Sequence, residues 1–236
     1  MAFVIESPRV SCVPVKGMAA GDEFPVRRIY CVGRNYVEHA IEMGGTGREP
    51  PFFFMKPSDA VLPVAEGSTA TMHYPSLTKS LHHEVELVVA IGKGGRDIPT
   101  ERAVEHVWGY AVGLDMTRRD LQNDMKKQGR PWDIGKGFEQ SAPIGSVIPA
   151  AQCQVGAGTV IELKVNGAVR QTSTIGKLIW SIPEVIAHLS SAWELAPGDL
   201  IFTGTPEGVA AVVTGDTLNA RIDGVGTLDV TIGPQQ

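Results

Sequence analysis

No stretch of the 236 residues approaches the ~20 consecutive apolar side chains that a bilayer-spanning helix needs. Residues 1–10 carry Glu6, Pro8 and Arg9 and lack the apolar centre of a secretory leader, so a cytoplasmic location is expected. There is no basic run. Lys and Arg number 21 against 26 Asp and Glu, a net charge of −5, which excludes the electrostatic footprint of a nucleic-acid binder. Cys12, Cys31 and Cys153 are odd in number and far apart, and match neither a disulfide framework nor a metal-ligand spacing. They read as free thiols in a reducing compartment. Internal repeats and low-complexity tracts are absent, and no Gly-Lys-Ser/Thr phosphate loop occurs.

What is present is an ordinary globular composition, 43% apolar and 20% charged, with an excess of turn formers: 27 glycines and 16 prolines. That excess favours many short elements over a long-helix bundle. Residues 26–33, 84–91 and 108–114 read as buried strands. Residues 160–165 and 168–172 flank Asn166-Gly167, the preferred two-residue turn of a β-hairpin. Ser181-Ile182-Pro183-Glu184 is a capping box, and Val185, Ile186, Leu189 and Trp193 continue it at helical spacing. Thr117 and Asp120 suggest a second capping box before a helix at 118–128, and Thr100 suggests an N-cap for a helix that would bury Ala103, Val104 and Val107. Strands and helices do not alternate strictly. The expectation is an α+β fold: a curled mixed sheet with a few short helices, with residues 1–25 as an extension packed on a main body of 26–236.

The strongest chemical signal is His83-Glu84-Val85-Glu86. Side chains two apart on a strand share a face, so Glu84 and Glu86 stand side by side while Val85 and Leu87 pack on the other face. Paired buried carboxylates repel unless a cation lies between them. Asp115 ends another apolar strand and could add a third oxygen. An all-carboxylate set suits Mg²⁺ or Mn²⁺ better than Zn²⁺. The competing reading is a solvated sheet face. His39 and Glu42 are three apart on a candidate helix beside Gly44, Gly45 and Gly47, a pattern that fits a general base with its orienting carboxylate on a lid, or two surface neighbours. Thr203-Gly204-Thr205-Pro206-Glu207-Gly208-Val209 offers backbone N–H groups and a hydroxyl for a carboxylate, or is a plain turn. Lys56, Lys136 and the helix face of Arg119, Gln122 and Lys126 could each be merely solvated.

Together these stretches resemble the fumarylacetoacetate hydrolase superfamily and its short, single-domain acylpyruvate hydrolase branch. The resemblance is carried by Cys31-Val32-Gly33-Arg34-Asn35-Tyr36, Met55-Lys56-Pro57-Ser58, His82-His83-Glu84-Val85-Glu86-Leu87 and Leu114-Asp115-Met116-Thr117. Gly135-Lys136-Gly137-Phe138, Lys164-Val165-Asn166-Gly167 and the Thr203–Val209 loop continue it in order. Phe24-Pro25-Val26-Arg27-Arg28 and Arg48-Glu49-Pro50-Pro51 look most like the members that cleave fumarylpyruvate in gentisate breakdown. The resemblance implies a curled β-roll in a homodimer, with Mg²⁺ or Mn²⁺ held by Glu84, Glu86 and Asp115. It implies His39 and Glu42 as the water-activating pair and Lys136 beside the developing oxyanion. Arg119, Gln122, Lys56 and Thr205 would touch substrate, and Arg34, Arg48 or Arg118 would meet a distal carboxylate. The implied reaction is hydrolysis of the C–C bond of a 2,4-diketo acid, fumarylpyruvate giving fumarate and pyruvate. The alternatives on the same scaffold are another acylpyruvate hydrolase or an oxaloacetate decarboxylase. A non-catalytic dicarboxylate-binding protein is the alternative of a different kind.

Overall fold

The computed structural model describes residues 3–19, 21–37 and 48–235. His39, Glu42 and most of the lid expected at 35–48 lie outside the described residues. Two mixed β-sheets dominate. The larger has Phe52–Lys56, Arg28–Gly33, Asp199–Phe202, Val85–Ile91, Val107–Leu114, Ala142–Gly145 and Val61–Val64 in spatial order, with Ile148–Pro149 paired to Val107–Leu114. The smaller runs Ala168–Thr174, Val160–Val165, Thr217–Ile222, Gly226–Gly233 and Thr69–His73. Each sheet contains parallel and antiparallel pairs. This is the curled mixed sheet with few helices that the composition suggests.

Val85–Ile91 is the strand that positions the site, and it is buried along its whole length. Alternation explains why. Val85 and Leu87 pack into a cluster with Val112, Leu114 and, from the smaller sheet, Ile161, Leu163, Leu218 and Val230. Val89 and Ile91, on the same parity, continue into a cluster with Val185, Ile186 and Leu189 of the helix Ile182–Ala192. Val88 and Ala90 point the other way, onto Ile29, Cys31, Ala111 and Phe202 inside the curl. Glu86 shares that inner parity, so the fold delivers its carboxylate to the mouth of the curl.

The hairpin forms with Asn166 and Gly167 at φ 52° and 78°, the left-handed pair its turn requires. The capping box of Ser181 and Glu184 is present. The other two cap expectations fail. Residues 100–106 form a 3-10 helix without a side-chain cap, and Val104 is exposed. The helix after Thr117 runs Arg119–Lys127, but Thr117 donates to the Asp115 carbonyl. Asp120 accepts from Thr78 and Lys79 of a neighbouring loop. In the second case a bond to the nearby Asp115 carbonyl takes the Thr117 hydroxyl, and tertiary partners take the Asp120 carboxylate. Residues 12–14 pair with 23–25, and Val13 and Phe24 are buried against the inner cluster of the curl.

Candidate active site and metal centre

Strand register assembles the carboxylates. Val85 pairs with Leu114 in an antiparallel ladder. The next step places Asp115 beside Glu84, where the Asp115 N–H donates to the Glu84 carbonyl at 2.8 Å. Glu84, Glu86 and Asp115 are all buried, and each offers an oxygen within 4.8 Å of the others. The solvated-face reading is thereby excluded.

Cations surround two of the three. Lys136 Nζ donates to Glu84 Oε2 at 2.7 Å and to Asp115 Oδ2 at 2.6 Å. Arg119 donates to Glu84 Oε1, and Lys56 Nζ lies 2.9 Å from Asp115 Oδ1. Glu86 differs: among the described residues its carboxylate takes one hydrogen bond, from the Gly204 N–H at 2.7 Å, and no ion pair. Burial, then Asp115 and Glu84, push its carboxyl well above the usual range. Burial pulls Lys136 down, but Asp115 and Glu84 more than offset this and hold its ammonium above its ordinary value. Three close carboxylate oxygens with one carboxylate lacking a cation fit a hard divalent ion bound through oxygen.

Two glycines make this geometry possible. Gly135 lets the short helix Asp133–Lys136 approach Arg119–Lys127, since a Cβ there would lie 2.9 Å from the Gln122 nitrogen. Gly204 has φ +103°, and a Cβ on it would meet Asn35 Cβ at 2.6 Å. Asn35 is itself buried, donating to the Thr203 and Trp180 carbonyls and accepting from the Trp180 N–H.

The carboxylates open onto a narrow pocket. Arg119, Gln122, Lys136 and Thr205 share its floor, and Arg34, Phe54 and Trp132 form its walls. Arg119 and Gln122 therefore face the site, buried and with their side chains joined at 2.5 Å, whereas Lys126 on the same helix face is exposed. Lys56 is not on the pocket wall. It lies behind Asp115, and its ammonium also donates to the carbonyls of Met116 and Lys136, so it anchors the triad and is not placed to touch a ligand. The Thr203–Val209 loop does hold a carboxylate with a backbone N–H, but it is the protein's own Glu86.

The three arginines separate. Arg48 is half-exposed, pairs with Glu184 and stacks 4.3 Å from the Trp180 ring. Arg118 donates to the Ile134 carbonyl and lies over Phe138. Only Arg34 of the three lines the pocket; its backbone is left-handed at φ 56°, and its buried Nε has no hydrogen-bond partner among the described residues.

Reading the sequence alone overlooks Trp132 and Gln171. Trp132 packs edge-on against Phe52 at 5.3 Å between ring centroids, in a loop with no periodicity to mark it. Gln171 is buried in an otherwise exposed run of its hairpin strand, and bonds to Val85, His83, Thr205 and Pro206. A lone Gln on a strand carries no signal until its neighbours are known. The three cysteines are free; Cys31 is buried beneath the site, and burial, then Asp115, push its thiol well up.

Residues 28–233 match the family model described as fumarylacetoacetate (FAA) hydrolase C-terminal. Fumarylpyruvate hydrolase of Ralstonia sp. is 45% identical over 188 residues, covering 80% of this chain and 95% of that one. The mitochondrial oxaloacetate tautomerase of Rattus norvegicus is 44% identical over 199 residues, covering 84% and 88% respectively. The crystal structure of fumarylpyruvate hydrolase from Pseudomonas aeruginosa, in complex with Mn²⁺ and pyruvate, is similar with a TM-score of 0.96 at 55% identity. The match spans 99% of this chain and all of that one.

Proposed function

This chain belongs to the fumarylacetoacetate hydrolase family, and on that footing we propose that it hydrolyses the C3–C4 bond of a 2,4-diketo acid, with fumarylpyruvate giving fumarate and pyruvate. The carrying observation is the buried Glu84, Glu86 and Asp115 triad opening on a pocket, with one carboxylate unmatched by a cation among the described residues. It fits Mn²⁺, present in the Pseudomonas aeruginosa relative, or Mg²⁺. Bound there, the ion supplies Lewis-acid polarisation of the 2-oxo acid end of the substrate.

The remaining roles fall to this chain's side chains. Arg119 and Lys136 fix Glu84, and Lys136 and Lys56 fix Asp115, so the oxygens are preorganised. The Lys136 ammonium, on the pocket floor, offers positive charge to the oxyanion that forms when water adds to the C4 carbonyl. The C3–C4 bond then breaks with its electron pair moving to C3, leaving pyruvate as its enolate to be protonated. His39 and Glu42, outside the described residues, are proposed on sequence grounds as the base that takes the water proton and its orienting partner. Gln122 and Thr205 are proposed to contact substrate and Arg34 to meet the distal carboxylate, which their position on the pocket lining supports.

The reading extends to a homodimer in the cytoplasm, serving gentisate catabolism. The strand Phe52–Lys56 supports the dimer: it is an open edge of the larger sheet with Phe52 and Met55 exposed, a surface that another copy would cover. Among the described residues no helix is long and apolar enough to cross a membrane.

A second reading, chemistry on oxaloacetate, is favoured by the 44% identity to the rat tautomerase. Both readings share a keto acid whose enol form the site must handle. Assaying fumarylpyruvate, acetylpyruvate and oxaloacetate with Mn²⁺ and with Mg²⁺ separates them. Fastest turnover of fumarylpyruvate supports the first reading, and turnover of oxaloacetate alone overturns it.

A further inference from the structure

The side-chain amide of Gln171 is buried and fully engaged. Its Oε1 accepts from the Val85 N–H at 3.1 Å and faces His83 Nδ1 at 2.9 Å. Its Nε2 donates to the Pro206 carbonyl and to Thr205 Oγ1, both at 2.8 Å. Two of these four partners have no choice of role: a backbone N–H only donates and a carbonyl only accepts. They fix which end of the amide is oxygen. It follows that His83 Nδ1 carries a proton, and that the Thr205 hydroxyl accepts from Gln171. The proton of that hydroxyl must then point elsewhere. No described residue accepts it, and Thr205 lines the pocket floor beside Glu86.

We propose that Gln171 is a positioning residue that makes the Thr205 hydroxyl an obligate donor into the pocket, where it bonds an anionic oxygen of the keto-acid substrate. The proposal rests on the pocket being the 2-oxo acid site. A carboxylate only accepts hydrogen bonds, whereas a freely rotating hydroxyl presents a lone pair as readily as a proton. The amide removes the wrong orientation before substrate arrives, so the donor needs no reorganisation on binding. The hairpin supplies the rigidity: Gln171 stands opposite Leu163, immediately before the register irregularity at Leu163/Lys164. Its bond to Val85 ties the same amide to the strand that carries Glu86.

Gln171→Glu tests this. It keeps an oxygen for Val85 and His83 and removes the N–H that Thr205 accepts, so the Thr205 proton turns back toward position 171. With saturating Mn²⁺, Gln171→Glu and Thr205→Val should each raise KM for fumarylpyruvate roughly 10- to 100-fold, the worth of one hydrogen bond to a charged group. The effect on kcat should be smaller. The double variant should be no worse than the worse single one. Multiplying effects would overturn the proposal, because Thr205→Val would then cost the same whether or not Gln171 directs it; an unchanged KM in Gln171→Glu would do so equally. Nitrogen NMR of the wild-type enzyme adds a readout independent of any variant's folding. His83 protonated on Nδ1 is expected, and protonation on Nε2 alone contradicts the bonding scheme. Should the wild type turn over no diketo acid, the functional reading fails by itself. Pyruvate affinity on the same four proteins, with the histidine tautomer, then still decides the role of Gln171.

Discussion

The ammonium of Lys136, on the pocket floor, donates to Asp115 Oδ2 at 2.6 Å. The same nitrogen reaches Glu84 at 2.7 Å, so one cation offsets two buried carboxylates that would otherwise repel each other and Glu86. Replacing it exposes how much the metal-free site depends on it. Lys136→Met should lower the stability of metal-free protein by about 2–3 kcal/mol, the worth of hydrogen bonds to charged groups, since Arg119 still pairs Glu84 and Lys56 still pairs Asp115. Saturating Mn²⁺ should recover much of the lost melting temperature, since the ion binds only the folded triad. Thermal melts with and without Mn²⁺ check this, and an unchanged metal-free melting temperature would contradict it.

Gly204 gives Glu86 its one hydrogen bond among the described residues. A methyl group there collides with Asn35 and forbids the left-handed backbone. Gly204→Ala should displace that N–H and weaken Mn²⁺ binding about 10-fold or more, the worth of a bond to a carboxylate. Calorimetric titration with Mn²⁺ reads it directly; wild-type affinity would mean that Glu86 is held by other means.

Arg34 should govern the choice between substrates with one and two carboxylates. Arg34→Gln is expected to lower kcat/KM for fumarylpyruvate about 10- to 100-fold, the loss of a charge-assisted contact, with a much smaller change for acetylpyruvate. Equal losses on both substrates would remove Arg34 from the distal carboxylate.

For His39 and Glu42 the expectation is kinetic. His39→Ala should slow hydrolysis about 10²- to 10⁴-fold, and the double variant with Glu42→Gln should be little slower, as for groups acting as a unit. Mn²⁺ affinity should hardly move. Additive losses would show two independent residues.

The triad was legible because its cause is local. Glu84 and Glu86 bracket Val85 at the head of an apolar strand, and Asp115 follows another, so alternation and burial alone suggest the cluster. The pairing of Val85 with Leu114, which brings Asp115 to Glu84, is a choice of register that no single segment encodes. The hairpin at Asn166-Gly167 and the capping box at Ser181 were legible for the same local reason. Lys56 was misplaced because a lysine's reach is long, and only the packing shows that it is spent on Asp115 and two carbonyls behind the triad. The strands Val61–Val64 and Ala142–Gly145 carry Pro63 and Pro143 and lack clear alternation, so their parallel pairing is a tertiary result. Gln171 is hidden likewise, since its four partners come from two other segments, 83–85 and 205–206, both far from it in sequence.

The most direct measurement is turnover of fumarylpyruvate by exhaustively chelated protein before and after Mn²⁺ is returned, alongside Glu86→Ala. The account predicts no turnover in the metal-free protein, recovery on adding Mn²⁺, and no recovery in Glu86→Ala. Full turnover by metal-free protein would contradict it.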